Sequence, residues 1–184
     1  MLSEVLEFLF PMSCRSPDEA KRNPGSRSLE KTAMSRWNSD EWAALCSGAA
    51  CPICRSGRPD DVVLELTASY VTSSANAPMR GYCCLVLKRH AVELHELPDE
   101  EAIALTRDIQ RAGRAIQQIT KAVKLNYEVH GNTIPHLHVH LYPRYRGDPF
   151  EGRPIDPSQI KVSPYKANEF QDFVDELRLR MERI

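Results

Sequence analysis

The sequence lacks the features that direct a chain into a membrane or onto a nucleic acid. None of its apolar stretches approaches the ~18 residues that a transmembrane helix requires. Neither sign of charge is in excess, because 24 Lys and Arg balance 25 Asp and Glu to a formal net charge of −1. The chain therefore has no overall positive field to hold nucleic acid or an anionic membrane surface. Any anion that binds must be captured by local geometry.

A basic segment near the N-terminus, typical of a secretory signal, is also missing, and Glu7 interrupts the short apolar run of residues 5–11. We therefore expect a cytoplasmic protein in which the six cysteines stay reduced. The 184 residues suffice for one domain with terminal segments. Residues 1–38 show no sustained hydrophobic period and are predicted to form a disordered tail, with Met12 and Met34 as alternative initiators.

Hydrophobic periodicity predicts an α+β fold. Five runs are predicted strands, the last two joined by a Gly-Asn turn: residues 62–67, 70–72, 81–87, 123–129 and 136–142. Ser39 is expected to cap a short helix, and a long helix begins at Pro98 with a buried stripe of Leu105, Ile109, Ala112, Ile116 and Ile119. A last amphipathic helix carries Phe170, Phe173, Val174, Leu177 and Met181. Because the strands cluster around one long helix, the sheet is expected to be mostly antiparallel.

Three of the six histidines alternate along the last predicted strand, at His136, His138 and His140. Alternate residues of a strand share a face, so three imidazoles are expected to line one side of the sheet. Burying three unpaired imidazoles costs of order 1–3 kcal/mol each, which favours a functional face over ordinary surface histidines. A triple-histidine metal site is the competing hypothesis, but the neighbouring positions lack the carboxylate that such sites use. A nucleophilic or acid–base role for imidazole is the better interpretation.

A second cluster of reactive side chains is the Cys-x-x-Cys pair of Cys51 and Cys54. In a reducing compartment this spacing indicates metal or redox chemistry more often than a structural disulfide. The other cysteines are interpreted as ordinary residues, and the two inside an apolar run as small hydrophobes: Cys14, Cys46, Cys83 and Cys84.

The segment from Gly131 to Arg144 reads GNTIPHLHVHLYPR and resembles the signature of the histidine triad (HIT) superfamily, in which three histidines alternate with apolar residues. The resemblance extends to GYCCLVLKRH at residues 81–90 and to the long helix, and covers about Cys51 to Arg144. It implies a HIT-like fold for a domain of residues 39–145. It carries no information about the N-terminal tail or about the loop and helix of residues 146–184.

The resemblance also implies roles for individual side chains. His138 is implied to attack the α-phosphate of a nucleotide and to form a nucleotidyl-histidine that water then releases. This chemistry suits neutral imidazole, whose unperturbed pKa lies near 6.5. His140 is implied to donate to the phosphate oxygens or the leaving group, and its carbonyl is a candidate to orient His138. Asn132 and Thr133 occupy phosphate-contacting positions of the family, with Asn126 as a weaker candidate.

Zinc-containing members of the superfamily imply a ligand set of Cys51, Cys54, His90 and His136. Two thiolates and two imidazoles form a closed tetrahedral site, with no open position for a catalytic water. The cofactor implied by the resemblance is therefore a structural Zn²⁺.

Two positions depart from the family pattern, because Ser74 and Tyr82 stand where relatives often have Asp and His. Contacts to the ribose of a bound nucleotide are then expected to be looser, or to come from Asn76 or the backbone. The identity of the nucleotide therefore stays open.

The resemblance implies a homodimeric nucleotide hydrolase or nucleotidyl transferase. Its substrate is an adenine-containing dinucleoside polyphosphate or nucleoside phosphoramidate. His140 favours hydrolysis, because transferase-like relatives carry Gln there. The alternative is a zinc-stabilised nucleotide-binding or interaction module with little turnover.

Overall fold

The computed structural model describes residues 35–160 and 163–182. Its strands form one antiparallel sheet in the order β1-β2-β3-β5-β4, which confirms the predicted α+β class. The strands are β1 (Val62–Glu65), β2 (Ser69–Thr72), β3 (Cys83–Leu87), β4 (Lys124–Glu128) and β5 (His138–Arg144). The two strands with the most buried residues, β3 and β5, pair in the middle of the sheet.

The helices are α1 (Asp40–Cys46), α2 (Pro52–Ser56), α3 (Asp99–Thr120) and α4 (Glu169–Glu182). Three acidic residues in the first turn of α3 complement the positive end of its dipole. The predicted stripe of α3 packs on β5, where Val139 and Leu141 are buried against Ala112 and Ile116. The predicted apolar residues of α4 join the same core, so both helices cover one face of the sheet and leave the other for the site. None of the described helices combines the length and apolar character needed to cross a bilayer.

The connection between β4 and β5 differs from the tight turn that was predicted. β4 ends at Glu128 and β5 begins at His138, so a nine-residue loop that contains Gly131 separates them. His136 therefore precedes the strand instead of opening it. Its backbone is held by a hydrogen bond to the carbonyl of Ile134, and its buried ring lies beside Cys51, Cys54 and His90.

A loop after β5 folds back over the open face of the sheet. Arg144 and Asp148 form a doubly hydrogen-bonded ion pair inside it, with N–O distances of 2.9 and 2.8 Å, and both side chains are nearly inaccessible. Arg144 also donates to the carbonyl oxygens of Phe150 and Arg153. This network holds Phe150 against Tyr142 and fixes the wall of a cleft described below.

The predicted tail of residues 1–38 falls mostly outside the described residues. Its last part, Arg36–Asn38, forms a 3₁₀ turn that Ser35 caps. The guanidinium of Arg36 donates to the carbonyl of Thr133 at 2.9 Å, which connects this turn to the loop before the triad.

Candidate functional site

His138 lies at the start of β5 with one imidazole nitrogen already engaged. Its Nδ1 donates to the carbonyl oxygen of His136 at 2.6 Å. The sequence suggested the carbonyl of His140 as the group that orients His138. The acceptor is instead the carbonyl of His136, because the chain turns at His136 before the strand begins. With the proton on Nδ1, the lone pair of neutral His138 is on Nε2.

His140 lies next to His138, with ring centroids 4.7 Å apart and ring planes at 89°. Its Nδ1 is 2.7 Å from the hydroxyl of Tyr82, and its ring stacks on Tyr82 and Tyr142. Burial, with smaller effects of His138 and His130, lowers the pKa of His140 to about 4. His140 is therefore a neutral imidazole at physiological pH.

The two histidines face a cavity of about 320 Å³ beside the loop that precedes the triad. The structure brings four predicted site residues together on its wall: Asn132, Thr133, His138 and His140. Gly131 has a φ of +81°, and this left-handed conformation turns the chain into the loop. The cavity therefore has a nucleophile candidate on one side and neutral hydrogen-bond donors on the others.

A larger cleft of about 790 Å³ adjoins the other side of His140. Asn126 lies here and not in the smaller cavity, with its amide 3.5 Å from the carboxylate of Glu128. The loop after β5 supplies the opposite wall through residues 154–157. Of the predicted site residues on the sheet, Asn126 is thus the one that stands apart from His138.

Cys51, Cys54, His90 and His136 converge in a second cluster, with ligand atoms that all lie within 4.8 Å of one another. The sulfur of Cys51 is 3.5 Å from Nδ1 of His136, and the sulfur of Cys54 is 3.3 Å from Nδ1 of His90. The sequence separates Cys51 from His136 by 85 residues, and the fold brings them into contact.

Hydrogen bonds to the backbone assign the tautomer of both histidines in this cluster. Nε2 of His136 donates to the carbonyl of Leu87, and Nε2 of His90 donates to the carbonyl of Cys46, each at 2.8 Å. The two Nδ1 atoms are then unprotonated and face each other at 3.3 Å. Two lone pairs at that distance repel unless a cation lies between them, so this donor set is suited to a metal ion.

Three side chains near the triad were not predicted as site residues. In the sequence Tyr82 is only a departure from the family pattern, although it precedes β3 by one residue and alternation places it on the same face as Cys84, the partner of His140. His130 had no assigned role, yet it lines both cavities and its ring centroid lies 5.6 Å from that of His140. Arg36 belongs to the predicted tail, where no local pattern marked it.

The family model described as HIT domain matches residues 55–147. This is half of the chain and contains β1 to β5, α3 and all three triad histidines. The chain therefore belongs to the HIT domain family.

Similar proteins are known from archaea, yeast and bacteria. An uncharacterised HIT-like protein of Methanocaldococcus jannaschii is 26% identical over 102 residues, which is 53% of this chain and 79% of that protein. The adenosine 5′-monophosphoramidase of Saccharomyces cerevisiae is 25% identical over 95 residues, or 51% of this chain and 60% of the yeast protein. A crystal structure of a histidine triad protein from Bradyrhizobium japonicum is 34% identical, covers 65% of this chain and 89% of that one, and superposes with a TM-score of 0.56.

Proposed function

We propose that this chain is a nucleotide hydrolase or nucleotidyl transferase that uses Nε2 of His138 as its nucleophile. The observation that carries the proposal is the 2.6 Å hydrogen bond from Nδ1 of His138 to the carbonyl of His136. It holds the ring in the tautomer whose Nε2 lone pair is free to attack. Membership of the HIT family and the likeness to the yeast phosphoramidase support the same chemistry.

The proposed reaction has two displacement steps at one phosphorus. In the first, Nε2 of His138 forms a bond to the α-phosphorus while the bond to the leaving group breaks, and the leaving group departs with that electron pair and takes up a proton from solvent. In the second, water attacks the phosphorus, the N–P bond breaks and its electron pair returns to Nε2, and a water proton passes to solvent. Asn132 and Thr133 line the cavity where negative charge develops on the phosphate oxygens.

The four-residue donor set is proposed to hold a structural Zn²⁺. Zinc–sulfur bonds of about 2.3 Å and zinc–nitrogen bonds of about 2.05 Å at tetrahedral angles separate two nitrogens by roughly 3.3 Å and a sulfur from a nitrogen by roughly 3.6 Å. The corresponding distances here are 3.3 Å between the two Nδ1 atoms and 3.3, 3.5 and 3.7 Å between sulfur and Nδ1. Bound there, the ion would fix His136, whose carbonyl orients His138. The four side chains would fill all four coordination positions of such an ion, which leaves none for a catalytic water.

The substrate is proposed to be a dinucleoside polyphosphate or a nucleoside phosphoramidate with an adenine base. The homodimer, the cytoplasmic location and the domain boundaries at residues 39 and 145 likewise stay predictions.

Incubation with a panel of adenosine compounds tests the function. The panel contains diadenosine polyphosphates and adenosine 5′-phosphoramidates of several amines, and product AMP is measured by chromatography. We expect release of AMP from at least one member by the wild type, and none by His138→Ala. Calorimetry on the same panel identifies the alternative, since a binding module gives affinity without product.

A further inference from the structure

Tyr82 lies on the Nδ1 side of His140, and the reaction proposed above gives it no role. Its ring packs against the rings of both His140 and Tyr142, with centroid distances of 6.0 and 4.8 Å. Its hydroxyl lies 2.7 Å from Nδ1 of His140. We propose that Tyr82 is a positioning residue that fixes the tautomer of His140 and thereby presents its Nε2–H to the bound phosphate.

The direction of this hydrogen bond follows from where the phenolic proton can go, because Nδ1 of His140 is the one hydrogen-bond partner of the Tyr82 hydroxyl among the described residues. Burial raises the pKa of Tyr82 well above its ordinary value, so the hydroxyl keeps its proton. An O–H that donates to Nδ1 requires a lone pair on that nitrogen, and the ring proton of neutral His140 must then reside on Nε2. This is the tautomer opposite to that of His138, which is protonated on Nδ1.

The two neighbouring histidines therefore present different chemistry to one cavity. His138 offers a lone pair on Nε2, and His140 offers an N–H. His140 lines both cavities, whereas Tyr82 is not among the described residues on their walls. The Nε2 edge of His140 thus faces the ligand space, and the Nδ1 edge faces Tyr82.

The backbone around Tyr82 is fixed on both sides, so the hydroxyl has little freedom to leave His140. The N–H of Tyr82 donates to the carbonyl of Met79, and its own carbonyl accepts from Ser73 at 2.7 Å. The preceding Gly81 has a φ of +77°, and a Cβ there would clash with Cγ2 of Thr120. The turn that delivers Tyr82 to the triad therefore admits no side chain at residue 81.

In the reaction proposed above, on which this step rests, the tautomer of His140 determines which group it donates to. A neutral imidazole is a poor acid, so His140 acts as a hydrogen-bond donor to a phosphate oxygen and not as the source of a proton for the leaving group. The groups that face His140 from the neighbouring elements are His138, His130, Tyr82, Tyr142, Cys84 on β3 and Glu128 on β4. Of these, Tyr82 is the residue that hydrogen-bonds to Nδ1.

The test compares Tyr82→Phe with Tyr145→Phe, which removes another half-buried hydroxyl that donates to the carbonyl of Arg80. Nitrogen-15 NMR of the histidine rings reports the tautomer directly, with the His140 signals assigned by comparison with His140→Asn. In the wild type and in Tyr145→Phe we expect Nε2 of His140 to carry the proton. Nδ1 of His140 should then show the nitrogen-15 chemical shift of a hydrogen-bonded acceptor. In Tyr82→Phe the Nδ1 signal should move toward that of a free acceptor, or the two tautomers should mix. Protonated Nδ1 in the wild type, or an unchanged spectrum in Tyr82→Phe, would overturn the proposal.

Kinetics give the second readout, with an adenosine 5′-phosphoramidate that carries a fluorescent amine. Tyr82→Phe should lower kcat about tenfold, the effect of one lost orienting hydrogen bond, and change KM less than about twofold. An unchanged kcat, or an equal loss in Tyr145→Phe, speaks against a positioning role. The NMR experiment needs no turnover, so an inactive wild type with the expected tautomer refutes the function but not the role of Tyr82.

Discussion

The carbonyl oxygen of His136 accepts a hydrogen bond of 2.6 Å from Nδ1 of His138, while the imidazole of the same His136 faces the sulfur of Cys51 at 3.5 Å. One residue thus belongs to the metal-binding cluster through its side chain and orients the candidate nucleophile through its backbone. The metal-binding cluster and the candidate nucleophile therefore have different chemistry but share the residue His136. Substitutions at these neighbouring histidines should therefore have different effects.

His138→Ala removes the nucleophile and leaves the four metal ligands in place. We expect turnover to fall by at least ~10³, as when a covalent catalyst is deleted, while nucleotide affinity and metal content persist. His136→Ala should instead lose the metal and unfold at a lower temperature, with reduced activity as a secondary effect. Kinetics, calorimetry and elemental analysis on both variants measure this asymmetry. Parallel loss of metal and activity in both would show that the triad itself is a catalytic metal site.

Freshly purified protein should contain one zinc per chain, and Cys51→Ser should contain none. Loss of the ion should lower Tm by about 10 °C, the shift that roughly 3 kcal/mol produces in a domain of this size. Cys46→Ser is the matched control, since Cys46 is not among the four metal-binding residues and its hydrogen bond with His90 uses the backbone carbonyl oxygen. Elemental analysis and thermal unfolding measure both effects, and a zinc-free wild type purified without chelator would contradict the assignment.

Asp148→Asn should destabilise the fold by about 3 kcal/mol at pH 7, because it leaves the buried guanidinium of Arg144 without its counter-ion. The hydrogen bonds from Arg144 lower the pKa of Asp148 from 3.8 to about 2. A carboxyl group with a depressed pKa contributes stability above its unfolded pKa and loses it as pH falls through the folded value. The difference in free energy of unfolding between variant and wild type should therefore shrink as the pH falls from about 4 to about 2. Urea unfolding at several pH values measures it.

The control for the buried Arg144–Asp148 pair is Asp175→Asn, which disrupts an exposed ion pair with Arg178 at 3.4 Å. This substitution should lower the free energy of unfolding by less than about 0.5 kcal/mol. Equal losses for the two variants would refute the structural role of the buried pair.

Asn132→Ala should lower kcat about 10²-fold if its amide donates to the phosphate oxygens in the transition state. Asn132→Asp keeps the shape but lacks the N–H donors, and we expect a loss at least as large. Gln171→Ala, on the exposed side of α4, serves as the control. Steady-state kinetics that leave kcat unchanged in both Asn132 variants would remove this residue from the site.

Local sequence patterns predicted the parts of the fold that depend on local physics. The stripe from Leu105 to Ile119 follows helical periodicity, and the apolar run of β3 is central in the sheet, so both elements were found. The start of β5 was misplaced by two residues. Just before this start, His136 makes a long-range contact, the hydrogen bond to the carbonyl of Leu87, which no local pattern contains.

The site was predictable to the extent that the HIT signature specifies it. The signature marked His138, His140 and Asn132, and the structure places them around one cavity. Tyr82 and His130 were missed because their proximity to His140 arises from strand pairing and from the course of a loop. Neither is a property of their immediate neighbours in the sequence.

Trapping the nucleotidyl-histidine is the measurement that decides most directly whether His138 is the nucleophile. The wild type is mixed with a substrate labelled at the α-phosphate and quenched in alkali, where a phosphoramidate on histidine survives, and its peptides are mapped by mass spectrometry. We predict an acid-labile nucleotidyl adduct on the peptide that contains His138, absent from His138→Ala and located on that residue by fragmentation. Product formation without any adduct, or an adduct on another side chain, would contradict the assignment of His138.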